Sequence, residues 1–326
     1  MTRILVTGGA GYVGSHTTKV LAREGFEPVV YDNMTAGHPW ATRWGPLVKG
    51  DLNDTKLLRD TLDEFKIEAV LHFAASIAVG ESVTDPKKYF HNNVVNTLRL
   101  LDAMLECNVK TIVFSSSAAV YGNPETVPIP EDHPLRPTSP YGESKLMMER
   151  AIHWYGQAYG LRWAALRYFN AAGADAEGDL GEEHEPETHL IPLVIEAAQG
   201  RRPCVEIYGT DYSTPDGTAI RDYIEISDLA EAHVRAVRHL IRGGENLCLN
   251  LGTGNGHSVR EVIAAVERVS KLRVPVREAP RRAGDPPILI ADAGKARNLL
   301  DWKPSHPELD SIVNSAWRWH SARAFC

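Results

Sequence analysis

Arg3-Ile4-Leu5-Val6-Thr7-Gly8-Gly9-Ala10-Gly11-Tyr12-Val13-Gly14 opens the chain with an apolar run and then sets glycines at every third position. The run reads as a strand buried on both faces, and Tyr12–Glu24 after it as a helix. Between them, Gly8, Gly11 and Gly14 allow a tight turn and let the backbone approach a pyrophosphate, whose charge the positive end of the helix stabilises. The spacing is GxxGxxG rather than GxGxxG, so on its own the stretch also fits a close-packed strand-to-helix turn. Asp32 adds a second signal. It ends the next apolar run, Pro28–Tyr31, where a carboxylate binds the ribose hydroxyls of adenosine and repels a 2′-phosphate. Together these residues favour NAD over NADP; without the glycines, Asp32-Asn33 reads as a plain turn.

Working outward, short apolar runs alternate with helix-like stretches, the signature of parallel βαβ units. Expected strands are Ile4–Thr7, Pro28–Tyr31, Leu47–Val48, Ala69–Phe73, Thr111–Ser115 and Trp163–Arg167, with helices over Tyr12–Glu24, Asp54–Phe65, Pro86–Cys107 and Pro140–Tyr159. Asp54 suits an N-cap, and Ser139-Pro140 suits a cap followed by a first-turn proline. Beyond Asn170 the texture changes. Ala171–His189, rich in Gly, Asp and Glu, reads as a long exposed loop, and Ser258-Val259-Arg260-Glu261 as a capping box opening a later helix. The expected division is residues 1–170 for the nucleotide, with some later segments returning to it, and 171–326 mainly for the substrate.

A second motif gives the nucleotide something to do. Tyr141 and Lys145 lie four apart on an expected helix and so share a face, while Ser117 ends the fifth strand. An ordinary tyrosine, with a pKa of about 10, is a poor base at neutral pH. A nearby ammonium and the helix's positive end favour its phenolate. Alone, YxxxK is commonly a solvent-facing stripe; following a nucleotide fold in this order, the trio Ser117, Tyr141 and Lys145 points to hydride chemistry on a carbinol carbon.

Composition excludes other classes. Of 326 residues, 43% are hydrophobic and 24% charged, and the net charge is -7 without a dense Lys/Arg tract, so no nucleic-acid partner is expected. No apolar stretch approaches a membrane span and no signal peptide precedes the first strand, which predicts a cytoplasmic protein without membrane partners. Cys107, Cys204, Cys248 and Cys326 have no CxxC spacing and read as reduced thiols. No metal is expected: Glu182-Glu183-His184-Glu185 with His189 fits no HExxH spacing, Pro186 breaks any helix there, and the group reads as a solvated acidic loop. Gly252-Thr253-Gly254-Asn255-Gly256 reads as a strand-to-helix turn.

Over nearly the whole chain the sequence resembles the extended short-chain dehydrogenase/reductase family, and within it the UDP-sugar 4-epimerase branch. Beside the glycine turn and YxxxK, the resemblance rests on His72-Phe73-Ala74-Ala75, Val79-Gly80-Glu81-Ser82, Ser115–Gly122 and Arg167-Tyr168-Phe169-Asn170. Tyr208–Tyr212, Asp216-Gly217-Thr218, Arg221-Asp222-Tyr223 and Arg281–Asp285 extend it. It implies an α/β, Rossmann-type doubly wound parallel sheet with a smaller α/β C-terminal domain, tightly bound NAD, and a homodimer built on helices near Pro86–Cys107 and Pro140–Tyr159. The implied reaction inverts C4 of UDP-glucose or UDP-galactose through a 4-keto sugar that swings about its pyrophosphate, with Tyr141 exchanging the C4 hydroxyl proton. Carried over by position, Gly8, Gly11, Tyr12, Val13, Gly14, Asp32, Asn33, Met34, Thr35, Ala36, Gly37, Asp51, Leu52, Phe73, Ala74, Ala75, Asn92, Lys145 and Phe169 line the NAD site. Ser117, Tyr141, Asn170, His189, Leu190, Tyr208, Arg221, Arg282, Asp285 and Leu289 would meet the sugar nucleotide.

The chain departs from the pattern at Ile77, where some members have lysine, and at His189, often asparagine. Leu289 stands where tyrosine restricts the pocket to simple hexoses and smaller residues admit N-acetylated sugars, which leaves UDP-N-acetylhexosamine or UDP-pentose epimerisation as alternatives. A related dehydratase would need an acid/base pair where this chain has Ala118 and Ala119. A nucleotide sensor without catalysis conflicts with the intact trio.

Overall fold

A computed structural model describes residues 1–282 and 285–323; Ala283 and Gly284 of the Arg281–Asp285 stretch, and Cys326, lie outside the described residues. The first half runs β1 (Arg3–Thr7), α1 (Tyr12–Arg23), β2 (Glu27–Asp32), β3 (Leu47–Lys49), α2 (Thr55–Glu64), β4 (Ala69–His72), α3 (Val79–Thr84), α4 (Pro86–Tyr89), α5 (Asn96–Glu106), β5 (Thr111–Ser117), α6 (Pro140–Tyr159) and β6 (Arg162–Tyr168). It continues with β7 (Asn170–Ala172), α7 (Leu190–Ala198), β8 (Val205–Tyr208), β9 (Ile220–Glu225), α8 (Ile226–Ile241), β10 (Leu247–Leu251), β11 (Gly256–Ser258), α9 (Val259–Ser270), β12 (Val276–Ala279), β13 (Ile288–Leu289), α10 (Gly294–Leu300) and α11 (Leu309–Arg323).

Seven parallel strands form the main sheet in the order β10-β6-β5-β4-β1-β2-β3. Its strands are continuous apolar runs because successive side chains enter two different cores. Ile4 and Val6 pack with Leu229 and Val237 of α8 on one face, and Leu5 packs with Leu62 of α2, Met104 of α5 and Met148 of α6 on the other. Each fully buried side chain of this kind contributes about 1.5–3 kcal/mol. Strand order reverses between β1 and β4, and at such a switch point an open α/β sheet leaves a crevice beyond the strands' carboxyl ends. The local rules hold where the sequence placed them. Asp54 Oδ1 accepts from Leu57 N–H at 3.0 Å, Ser139 Oγ accepts from Gly142 N–H at 3.2 Å, and Ser258 and Glu261 form the capping box.

The later segments split. β10 and α8 return to the main sheet, β10 against β6 and α8 along α1. The rest makes a four-stranded group in which β9 pairs with β7, β11 and β13, and a parallel pair, β8 with β12. These pack on α7, α9 and α11 through a separate apolar cluster including Val194, Val262 and Ile312.

Two expectations change. The helix expected over Pro86–Cys107 is interrupted: residues Phe90–Val95 widen into a π-helical turn between α4 and α5. The cause is Asn93, whose buried side chain accepts from Ser76 N–H at 2.8 Å and donates to Ser76 O at 3.1 Å and to Ser144 Oγ at 3.0 Å. The other concerns Ala171–His189, which is not an exposed loop. Asp175, Leu180, Gly181 and Glu182 are buried, because this segment supplies the carboxylates that neutralise the buried Lys19 ammonium, Asp175 at 2.7 Å and Asp179 at 2.9 Å. A Cβ on Gly181 would fall 2.3 Å from the Trp319 ring, so the segment is also pinned against α11.

Candidate active site

Three strand ends converge at the switch point. After β1 comes the glycine turn, in which Gly8 has φ +71 and its hypothetical Cβ would lie 2.6 Å from Ala74 N, while one on Gly14 would lie 2.2 Å from Gly8 O. Protein packing therefore explains Gly8 and Gly14. It does not explain Gly11, whose nearest neighbour is Gly8 O at an ordinary 3.4 Å. A bare backbone at the start of α1, with no side-chain cap on the helix, is what a pyrophosphate needs.

Asp32, at the end of β2, is 8% exposed, and its carboxylate accepts from Ala10 N–H at 3.0 Å and Met34 N–H at 2.8 Å. Burial raises its pKa while those two N–H groups oppose the rise. Asn33 donates to Asp51 Oδ2 at 2.8 Å and accepts from Thr35 N–H at 3.1 Å, which shapes the 33–37 turn; Thr35 and Ala36 are exposed on it and Gly37 abuts Ala10 and Asp32. From β4, Phe73 lies against His233 with ring centroids 4.8 Å apart, Ala74 N–H donates to Thr7 O at 3.1 Å, and Ala75 follows, partly buried. Asn92 donates to Ser76 Oγ at 3.0 Å. Leu52 is buried in the α2 core, Phe169 packs beside Val120 and Tyr121, and Val13 packs on the α8 face of the sheet. The Tyr12 hydroxyl is turned away, donating to Gly173 O at 2.8 Å, so Tyr12 has only its backbone to offer the crevice. These residues fit NAD: an uncapped helix start, a glycine that packing does not require and the Asp32 carboxylate lie at neighbouring strand ends.

Ser117, Tyr141 and Lys145 meet at the end of β5. Ser117 Oγ accepts from Ala119 N–H at 3.2 Å, which caps the 3₁₀ turn Ala118–Val120. Tyr141 lies in the first turn of α6, with Ser117 near enough to influence its phenol. Lys145 is 2% exposed; its Nζ donates to Ser115 O at 2.8 Å and lies 6.0 Å from the Tyr141 ring centroid. Burial raises the Tyr141 pKa, with the Ser117 hydroxyl opposing. Burial also lowers Lys145 to about 7, with Glu149 opposing. The expected tilt toward phenolate is thus corrected: burial disfavours both charges, and the shifts favour phenol with neutral amine over phenolate with ammonium, two forms with equal proton counts.

Across the crevice stand the residues expected to hold the sugar nucleotide. Arg221 on β9 pairs with Asp285 at 2.5 Å, and β13 sets Leu289 beside Arg221 in register. Leu289 packs on the cluster of Ala118, Val120, Tyr121 and Leu146, directly beyond Ser117. The Arg282 guanidinium lies 4.1 Å from the Tyr208 ring centroid, Asn170 pairs with Tyr223, and Leu190 opens α7. His189 faces Glu182 and Glu187, whose carboxylates outweigh its burial and push its pKa up to about 10.

Sequence reasoning missed several partners. Ser115 O holds Lys145, and Ser115 Oγ bonds the Tyr168 hydroxyl at 2.8 Å; the alternation along β5 could have paired Ser115 with the buried face. The buried Asp222 carboxylate collects Thr253 N–H at 2.9 Å, Gly254 N–H at 3.0 Å and Ala291 N–H at 3.1 Å, so the glycine-rich turn 252–256 wraps a carboxylate of the protein itself. No local signal in the sequence announces that contact.

The chain is similar to known proteins over almost its whole length. A UDP-glucose 4-epimerase of Rhizobium meliloti is 53% identical over 98% of this chain and 97% of its own. The Brucella ovis UDP-glucose 4-epimerase, solved with NAD, superposes with a TM-score of 0.96 at 51% identity, covering 98% of both chains. The Bifidobacterium longum UDP-glucose 4-epimerase, solved with NAD+ and UDP, gives 0.95 at 40% identity over 99% of both. Residues 4–252 match the model of one family, so the chain belongs to the NAD dependent epimerase/dehydratase family.

Proposed function

We propose that the protein is an NAD-dependent UDP-glucose 4-epimerase, interconverting UDP-glucose and UDP-galactose. The observation that supports this reading is the position of Ser117 at the end of β5, two strands along the sheet from β1 and its glycine turn, with Tyr141 in the first turn of α6 and Leu289 packed on the turn that follows Ser117. NAD bound along the switch-point crevice would take hydride from C4 and return it. Tyr141 takes and gives back the C4 hydroxyl proton, Ser117 orients that hydroxyl, and Lys145 exchanges charge with Tyr141 as the proton moves. Arg221 and Arg282 hold the diphosphate, for which guanidinium groups are suited in charge and shape. With its anchor at the diphosphate, the oxidised sugar is free to present its other face. The decisive assay is product analysis of UDP-glucose with purified protein and no added NAD. Failure to form UDP-galactose, with NAD still bound, would defeat the reading.

Leu289 is the proposed gate on sugar bulk, since it packs on the turn that follows Ser117. Leu289→Tyr is expected to lower kcat/KM for UDP-N-acetylglucosamine relative to UDP-glucose by roughly tenfold, about 1.4 kcal/mol of selective exclusion. An unchanged ratio would remove Leu289 from this role.

The division near residue 170 is supported by the separate apolar cluster of α7, α9 and α11, although β10 and α8 return to the main sheet. A homodimer through α6 is supported by Met147 and Trp154, seven residues apart on one face and 40% and 68% exposed; sedimentation of the purified protein at the monomer mass would refute it. A cytoplasmic setting is supported by free thiols at Cys107, Cys204 and Cys248. No helix among the described residues is long and apolar enough to cross a membrane.

A further inference from the structure

The segment between β7 and α7 brings together four side chains that the proposed reaction does not require as a group. Glu182, His184, Glu187 and His189 each present one nitrogen or carboxylate oxygen within 4.8 Å of the others. His189 Nδ1 lies 2.9 Å from Glu182 Oε1 and 3.0 Å from Glu187 Oε1. His184 Nδ1 lies 3.5 Å from that same Glu182 oxygen and 3.4 Å from Glu187 Oε2. Nitrogen and oxygen ligands about 2.0–2.2 Å from a tetrahedral zinc ion stand about 3.3–3.6 Å from one another. Of the four nitrogen–oxygen distances, the two from His184 have that value and the two from His189 fall a few tenths of an ångström short; the two to Glu187 run to its two different oxygens, so one carboxylate oxygen must turn inward for a four-coordinate set.

The set suits a divalent cation in place of the protons it shares. Both rings turn the same nitrogen toward both carboxylates, so each Nδ1–H would have to be shared between two acceptors. A divalent ion meets all four lone pairs at once, and two carboxylates neutralise its charge. The Glu187 carboxylate is oriented by the backbone that follows it: Thr188 N–H and His189 N–H donate to Oε1 at 2.7 and 2.8 Å, while Oε2 faces His184. Such bonds fix the direction of metal-ligating carboxylates. The Glu182 and Glu187 side chains are 4% and 8% exposed, and His189, at 38%, is the open side through which an ion could enter. The neighbouring acidic group Asp175, Glu177 and Asp179 is different, because the Lys19 ammonium already occupies it at 2.7, 2.9 and 2.9 Å.

We infer that Glu182, His184, Glu187 and His189 form a four-coordinate structural site for a first-row divalent cation of the zinc class. Two imidazoles in a closed set of four exclude magnesium and calcium, which take six or more ligands, mostly oxygens. With all four positions supplied by protein, the site has no open coordination position for substrate. Its effect is to tie the entry of α7 to the glycine turn, since the His184 ring lies edge-on to Tyr12 with centroids 6.4 Å apart. The inference stands whether or not the proposed reaction is correct.

The test uses full-length protein without a histidine tag, dialysed against a chelator and titrated with cobalt chloride and then zinc chloride. The expected result is uptake of one equivalent of cobalt with the intense visible absorption of a tetrahedral ion, its loss on adding zinc, and a melting temperature a few degrees above that of the chelated protein. His184→Ala and Glu187→Gln should each abolish stoichiometric uptake; the chelated parent protein provides the readout if either variant fails to fold. Absence of stoichiometric cobalt binding to the parent, an unchanged melting temperature on metal addition, or equal uptake by both folded variants would overturn the inference and leave an ion-pair network.

Discussion

Tyr141→Phe is expected to lower kcat by about 10²–10⁴-fold, the usual contribution of a positioned proton-transfer group, while leaving the NAD content of the purified protein unchanged. The substitution removes one oxygen and keeps the ring, whose edge contact with Tyr89 has centroids 6.4 Å apart, so the crevice walls stay in place. The parent protein carries a further signature. Because Lys145 is lowered to about 7 and Tyr141 is raised, the pair loses its first shared proton near neutrality, and kcat should rise with pH and level off above about 7. In the phenylalanine variant the residual turnover should lose that rise. The same group affects stability with a definite sign. Between about 7 and the ordinary lysine value the unfolded chain binds a proton that folded Lys145 does not, so stability increases with pH through that window. Turnover within tenfold of the parent, measured from UDP-glucose to UDP-galactose, would mean that another group moves the proton.

Most of the nucleotide half is legible in the sequence because its signals are local. The apolar runs give the parallel strands, the caps at Asp54 and Ser139 fix two helix starts, and α6 spans the expected Pro140–Tyr159. Signals made by distant residues are not legible. The π turn at 90–95 depends on Asn93 reaching Ser76 and Ser144, and nothing in Phe90–Val95 alone distinguishes it from regular helix. The 171–189 segment looks solvated because it is acidic, yet part of that acidity is matched to the buried Lys19, more than 150 residues earlier. The site shows the same limit. YxxxK and the glycines are contiguous motifs, whereas the Arg221–Asp285 pair and the contact of Leu289 with the Ser117 turn arise only when β13 lies beside β9. Composition reads charge correctly but cannot say which charges are buried together.

Arg167→Met is expected to cost about 3–5 kcal/mol of stability, measured by denaturant unfolding, because it strands a buried carboxylate. Arg167 Nε and Nη2 donate to Glu149 Oε1 and Oε2 at 2.9 and 2.6 Å, with side chains 5% and 9% exposed. Replacing both partners, Glu149→Leu with Arg167→Met, should recover much of that loss, since no buried charge remains. Recovery will be incomplete. Ser116 Oγ donates to Glu149 at 2.5 Å and Arg167 Nη1 donates to the Tyr121 hydroxyl at 3.0 Å, and each such group left unpaired costs about 1–3 kcal/mol. The double variant also separates scaffold from chemistry. Glu149 is one helical turn beyond Lys145 and is the charge that partly offsets the effect of burial on that lysine. Without it the Lys145 pKa falls further, so the rise of kcat should move to a pH below about 7 even where folding stability has returned. A double variant that regains stability and keeps the parent's pH profile would show that the pair braces β5, β6 and α6 without tuning the lysine.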